Sequence, residues 1–192
     1  MKNSLLTVKL IFILSLVFSH ESDAQITDGN WLIGGTGYFA SNYSKRETSG
    51  SPNEVKGVMT VISPNIGYFL IDKLALGTGL SLSFSSPSGE NNNSWGYSVG
   101  PFLRYYFLKP EKTLNFLTEV NYYFGQTWSD YTNDPRRSST YGIKGGPVIF
   151  FRNNAALELT LNYFHSTSKR EEENNTINKQ FLISIGFQIH LK

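Results

Sequence analysis

The stretch Ser63–Phe84 reads SPNIGYFLIDKLALGTGLSLSF, and its two halves meet at a short polar break, Ile71-Asp72-Lys73. Beyond the break, Leu74, Leu76, Leu80, Leu82 and Phe84 alternate with Ala75, Gly77, Gly79, Ser81 and Ser83. A period of two is the signature of a strand, with successive side chains on opposite faces. A water-soluble sheet sets large apolar groups against charged ones. Here the face opposite the leucines is small and uncharged, so the wet surface of an ordinary sheet is missing.

The same alternation recurs along the chain, and helical periodicity does not. It predicts eight strands, at residues 30–40, 55–70, 74–84, 94–107, 114–128, 138–151, 155–166 and 178–191. Many exceed ten residues, where about five or six is usual in soluble sheets. Three connections are short: 71–73, 108–113 and 152–154. Between them lie four longer polar stretches, 41–54, 85–93, 129–137 and 166–177. An even number of long strands, with short turns at one end and long loops at the other, is the pattern of an eight-stranded antiparallel up-and-down transmembrane β-barrel. A hairpin-sized unit also repeats from Pro64, Pro101 and Pro147, each proline followed by aromatics, a polar turn and an alternating strand. Proline tolerates only special strand positions, so the three mark one recurring site near a bulge or strand start.

Parity sorts the faces. Leu114, Phe116, Val120, Tyr122 and Phe124 oppose Asn115, Glu119, Asn121 and Tyr123, and Leu157, Leu159, Leu161 and Tyr163 oppose Ala156, Glu158, Thr160 and Asn162. The first strand is ambiguous because glycine occupies both parities. Alternation also fits a soluble calycin-like barrel holding an apolar ligand, with the apolar face inward. The polar face argues against it. A soluble surface is about a quarter to a third charged, whereas this face is mostly Gly, Ser, Asn and Thr, which suit the crowded interior of a narrow barrel.

Four charged residues nevertheless fall on that face: Arg104, Glu119, Lys144 and Glu158, on four consecutive strands. Turn centres place Arg104 near Glu119, Glu119 near Lys144 and Lys144 near Glu158, so signs alternate at similar depth. Charges removed from water persist only when paired. The expected role is a structural polar plug filling a lumen too narrow for an aqueous channel; an ion path or gate is the sharper alternative.

The 192-residue chain has no cysteine and a net charge of +2, which excludes disulfides and thiol chemistry and gives no reason to expect nucleic acid. Lys2 and Lys9 precede the apolar run Leu10–Phe18, and Ser22-Asp23-Ala24 offers small residues before Gln25. That layout predicts a signal peptide at 1–24, cleaved between Ala24 and Gln25, and a barrel domain at 25–192. The apolar run is too short to span a bilayer as a helix.

The hairpin unit PNIGYFLIDKLALGTGLSLSF, the leader ending at Ala24-Gln25 and the amphipathic last strand together resemble the small eight-stranded OmpA/OmpX-like outer-membrane β-barrel proteins, particularly of Bacteroidetes-type bacteria. The resemblance covers Gln25–Lys192. It implies residence in the outer membrane of a Gram-negative bacterium, with periplasmic termini and extracellular long loops. It also implies a monomer, contacts with outer-membrane lipid and lipopolysaccharide, and no cofactor. Such barrels usually end in an aromatic residue read by the insertion machinery. This chain ends Phe187-Gln-Ile-His-Leu-Lys192, so recognition would rest on Phe187, Ile189 and Leu191. No peptidoglycan-binding domain is expected after the last strand.

Some barrels of this size are lipid-acting enzymes that use a His and a Ser near the outer rim with a carboxylate. His165, Ser166 and Ser168, followed by Glu171–Glu173, are the candidate set here, with no defined spacing. An interfacial histidine beside a serine-rich loop is the simpler reading, and the chain is expected to be non-catalytic. His190 is the other histidine of the mature chain, and two distant histidines make no metal set. The sequence therefore points to an envelope-structural or surface-interaction role through the loops.

Overall fold

Each strand hydrogen-bonds to the next in sequence, and β8 returns to β1, closing an antiparallel barrel in this computed structural model. The described residues are 26–48, 51–88, 93–130, 132–151, 154–169 and 175–192. The strands are β1 (Trp31–Thr48), β2 (Ser51–Ile71), β3 (Leu74–Ser88), β4 (Ser94–Tyr106), β5 (Leu114–Ser129), β6 (Thr132–Phe151), β7 (Ala155–Lys169) and β8 (Thr176–Leu191). Closure pairs the two edge strands with each other over part of their length, and hydrocarbon favours such pairing because it cannot hydrogen-bond to a backbone.

All four expected long loops are shortened: β3 runs on to Ser88, β7 to Lys169, and β8 begins at Thr176, and the two largest changes are in the other two hairpins. β1 and β2 remain paired from Trp31↔Tyr68 to Thr48↔Ser51, so most of 41–54 is hairpin rather than loop. β5 and β6 likewise remain paired out to Ser129↔Thr132. Polar residues beyond the apolar band carry no hydrophobic alternation, yet their backbones continue the ladder at little cost. Sequence patterning is blind to such extensions.

The turn at the centre of the opening stretch is tight. Ile71 pairs with Leu74, and the register shifts between Phe69 and Ile71, so Leu70 is an extra residue in β2. Lys73 takes φ = 69°, the left-handed region normally left to glycine or asparagine. The extra residue thus precedes the turn, on β2, and the left-handed residue closes it on the β3 side.

The three prolines share one structural site. At Ser63-Pro64 the ladder to β3 is interrupted, with Ile62↔Leu82 before and Asn65↔Gly79 after in unchanged register. At Gly100-Pro101 the ladder to β5 is interrupted between Val99↔Phe124 and Phe102↔Asn121. At Gly146-Pro147 the gap toward β7 lies between Gly145↔Leu161 and Val148↔Glu158. Pairing on the other side of each proline is continuous. Each short-turn hairpin thus lacks two successive register pairs where proline has no N–H to donate, and no residue is inserted.

The outward face is apolar. Ile62, Ile66, Leu76, Leu80, Val99, Leu103, Val120, Ile143, Leu159 and Ile183 are all exposed. Glycine left β1 undecided in sequence; the structure turns Trp31, Ile33 and Phe39 outward and Leu32 inward. Aromatic clusters bound this band. Trp95 stacks on Trp128 at 4.5 Å on the loop side, and Trp31 meets Tyr68 at 5.2 Å on the turn side. Trp95 and Tyr105 are ten residues apart on β4, about 33 Å of strand. At a tilt near 45° this gives a height of roughly 23 Å, close to the ~25 Å apolar band of outer-membrane barrels.

The seam between β1 and β8 is shorter than the others. It runs from Trp31↔Leu191 to Gly37↔Ile185, seven pairs, and no further pair joins the two strands among the described residues. Beyond it, β1 follows β2 and β8 follows β7.

Candidate functional site

The lumen is built in three layers. On the turn side it is sealed by apolar groups: Ile26, Leu32, Phe69, Ala75, Tyr106, Phe150 and Ala156 form a fully buried cluster. Ile26 is not part of a strand. It is held there because Lys73 N–H donates to its carbonyl at 2.8 Å, while Gly29 N–H donates to Phe69 O at 3.1 Å and Phe69 N–H to Asn30 O at 2.9 Å. The segment 26–30 is therefore tucked under the barrel as a stopper. His190 lies in the same layer, with its ring 5.4 Å from Phe150 and 5.9 Å from Phe69.

Above this floor sit the charges. Arg104 pairs in register with Glu119, and Glu119 with Lys144. Arg104 Nε donates to Glu119 Oε2 at 2.8 Å; Nη2 also lies 2.7 Å from that oxygen but without hydrogen-bond alignment. Glu119 Oε1 takes Lys144 Nζ at 3.2 Å and Asn121 Nδ2 at 3.3 Å. Lys144 does not sit beside Glu158, the pairing suggested by the turn centre. Its register partner on β7 is Asn162, and Glu158 faces Val148. Glu158 is instead reached across the lumen by Arg104 Nη1, which donates to Oε1 at 2.7 Å. Gln188 Nε2 donates to Glu158 Oε2 at 3.4 Å, and Arg104 Nη1 also donates to Tyr106 Oη at 3.3 Å. The order is Lys144, Glu119, Arg104, Glu158, with alternating sign and no net charge. All four side chains are buried. Such a layer is held by completeness: removing one member leaves an uncompensated charge, which costs about 3–5 kcal/mol.

Small residues make this layer possible. Ala75 is the register partner of Arg104 and leaves space for the guanidinium. The Phe102 ring, 5.4 Å below the Arg104 guanidinium carbon, lies against Gly77, and Tyr123 lies against Gly79. Bulk on β4 and β5 is matched by its absence on β3.

The third layer corrects the expectation of a lumen filled along its length. Toward the loops, Thr36, Ser63, Ser81, Ser83, Thr140 and Ser184 leave a cavity of about 360 Å³, floored by Glu119 and Lys144. Hydroxyls and amides bond one another along its wall: Asn162 Nδ2 donates to Ser184 Oγ at 3.0 Å, and Ser63 Oγ to Ser81 Oγ at 3.0 Å. It is a blind polar vestibule, because the charge layer and the apolar floor close its inner end.

The residues considered for catalysis separate. His165 turns outward and stacks on Tyr141 at 4.7 Å, whereas Ser166 and Ser168 line the vestibule, with Thr140 Oγ1 donating to Ser166 Oγ at 2.8 Å. Neighbours in sequence on a strand lie on opposite faces, so a His165–Ser166 dyad cannot form. Glu171–Glu173, Ala24 and Gln25 lie outside the described residues. No group of three or more His, Cys, Asp or Glu that could hold a metal occurs among the described residues.

This architecture is shared with known barrels. Neisserial surface protein A superimposes with a TM-score of 0.57 and 16% identity, over 84% of this chain and 97% of that one. The outer membrane protein OprG of Pseudomonas aeruginosa gives a TM-score of 0.57 and 12% identity, over 88% and 99%. No protein-family model and no curated protein matches the sequence. At these identities the likeness shows the fold alone.

Gln188 and Tyr106 fall on the inward face by parity, but nothing in the sequence singles them out as partners of the charges. Ile26 carried no signal at all, because it lies outside any alternating segment.

Proposed function

We propose that this chain is a non-catalytic integral outer-membrane β-barrel of a Gram-negative bacterium, acting in envelope structure or surface interaction rather than in solute passage. One observation carries the reading: the faces are inverted relative to a soluble barrel. Arg104, Glu119, Lys144, Glu158 and Gln188 are inside, and Ile62, Leu80, Val99, Val120 and Ile183 are outside. An apolar surface encircling the whole molecule is stable only in lipid. A calycin-like barrel would have the reverse arrangement, with an apolar cavity in place of the hydroxyl-lined vestibule.

The sealed inner end supports a role without conductance. The remaining features of the reading follow from the sequence. Residues 1–24 are a cleaved signal peptide with its junction at Ala24-Gln25, and 25–192 form the barrel. The short turns and both termini face the periplasm, and the polar hairpin extensions project outside. The likeness to Bacteroidetes-type barrels rests on the leader ending at Ala24-Gln25, the hairpin unit and the amphipathic last strand. Phe187, Ile189 and Leu191 on the last strand are the features offered to the insertion machinery, and the barrel works as a monomer among lipid and lipopolysaccharide. Catalysis by His165 finds no support, since the candidate serines face the other way.

Expression with membrane fractionation and electrophoresis of unboiled and boiled samples tests the reading. The protein is expected in the detergent-extracted membrane fraction, with different mobility before and after boiling. Recovery as a detergent-free periplasmic protein would overturn it.

A further inference from the structure

Across β6 and β7 the loop-side outer wall carries a polar stretch that the proposed role does not use. Across β6 and β7 the outward pairs run Arg137↔Lys169, Ser139↔Thr167, Tyr141↔His165 and Ile143↔Tyr163. From the rim toward the band the wall passes from two cations to two hydroxyls, then to an aromatic–imidazole stack and finally to apolar groups. Arg137 and Lys169 stand directly opposite each other and are both exposed. Neither has a carboxylate partner among the described residues. Like charges placed opposite on a ladder destabilise it unless an anion lies between them. The same residues border an outward groove of about 520 Å³ that also includes Ser139 and Thr167, with Val99 and Phe124 on its apolar side.

We propose that this groove binds the phosphate group of an acylated lipid in the outer leaflet. Arg137 and Lys169 supply the counter-charge and Ser139 and Thr167 the hydroxyl donors, while the acyl chains lie on Val99 and Phe124. Guanidinium and ammonium together suit a phosphate, the first by its planar fork and the second as a point charge. Position supports a lipid over a soluble anion: the cations sit just above a surface that hydrocarbon already covers. The inference rests on the membrane reading and adds a specific lipid class and site to it.

The test uses the full barrel in phosphatidylcholine nanodiscs doped with phosphatidic acid, with co-purifying lipid counted by native mass spectrometry. The wild-type barrel is expected to retain phosphatidic acid several-fold above its share of the disc. The double variant Arg137→Gln with Lys169→Gln should lose that enrichment. Lys109→Gln with Lys112→Gln, which removes the same charge at the turn end, should keep it. Equal enrichment in both double variants, or none in the wild type, overturns the site. Displacement of the lipid by an equal concentration of inorganic phosphate overturns the lipid part, since the headgroup alone would then suffice. Failure of any variant to fold leaves the wild-type enrichment as the deciding measurement. Failure of the wild type to enter nanodiscs strikes the membrane reading instead.

Discussion

Arg104 on β4 and Glu158 on β7 are 54 positions apart in sequence, yet Nη1 of one lies 2.7 Å from Oε1 of the other across the lumen. Neighbouring strands alone could not produce this contact, because β5 and β6 lie between. It makes Arg104 the shared counter-charge of two carboxylates, since the same guanidinium also holds Glu119.

Removing Arg104 is therefore expected to cost more than neutralising Glu158. Arg104→Met leaves Glu158 with only Gln188 and should lower stability by about 3–5 kcal/mol, as for a buried pair broken on one side. Glu158→Gln keeps an acceptor for Nη1 and should cost less, about 1–3 kcal/mol. Glu119→Ala leaves Lys144 without its carboxylate and Arg104 with Glu158 alone, and belongs with the larger effect. Urea unfolding in lipid vesicles, followed by the gel shift, ranks the three; an unchanged midpoint for Glu119→Ala would count against the charge layer.

The strained turn offers a test in the opposite direction. Lys73 occupies φ = 69° while its N–H bonds Ile26 and its C=O accepts from Tyr106 N–H at 2.9 Å. Those backbone bonds survive any substitution that tolerates the conformation. Lys73→Gly is expected to stabilise the barrel by about 0.5–1 kcal/mol and Lys73→Val to destabilise it, because a β-branched residue is penalised most there. The same unfolding midpoints decide the sign.

Space on β3 is matched to bulk on β5. A Cβ at position 79 would lie 3.2 Å from Cζ of the Tyr123 ring. Gly79→Val should force Tyr123 from its place and cost about 1–3 kcal/mol. In the background Tyr123→Ala the same substitution should cost much less, which a double-mutant comparison would reveal.

The short β1–β8 seam predicts uneven protection. Alternate amides of 38–41 and 178–184 that point toward the seam lack ladder partners there. They should exchange hydrogen faster than amides of 97–100 on β4, which are paired on both sides except at the proline gap. Residue-resolved exchange in nanodiscs reads this directly. Equal protection would mean that the seam is closed in lipid.

Wild-type protein in planar bilayers should show no stable conductance steps, because the charge layer and the floor around Ile26 and Phe69 leave no continuous water path. Sustained single-channel steps from the purified barrel would contradict a sealed inner end.

Much of this molecule is legible without coordinates, and the reason is local. Whether Leu76 or Gly77 faces outward follows from parity, a property of adjacent residues, and the turn at Asp72-Lys73 is written in its own residues. The same locality sets the limits. Where polar strands continue past the apolar band, as at Lys45↔Glu54, no contrast between faces marks them. Where glycine fills both parities, as in Gly34–Gly37, no face is marked either, and pairing with β2 and β8 decides.

The sequence by itself determined the number of strands, their hairpin order, the identity of the apolar outward surface and the presence of four inward charges. Only the tertiary structure decided which charges meet. Turn centres place partners to within a residue or two on neighbouring strands, whereas a contact across the lumen depends on the curvature and stagger of the closed sheet. Those are global quantities, fixed by all eight strands together. For the same reason Ile26 becomes the stopper of the barrel, Arg104 reaches Glu158, and Lys144 stays with Glu119.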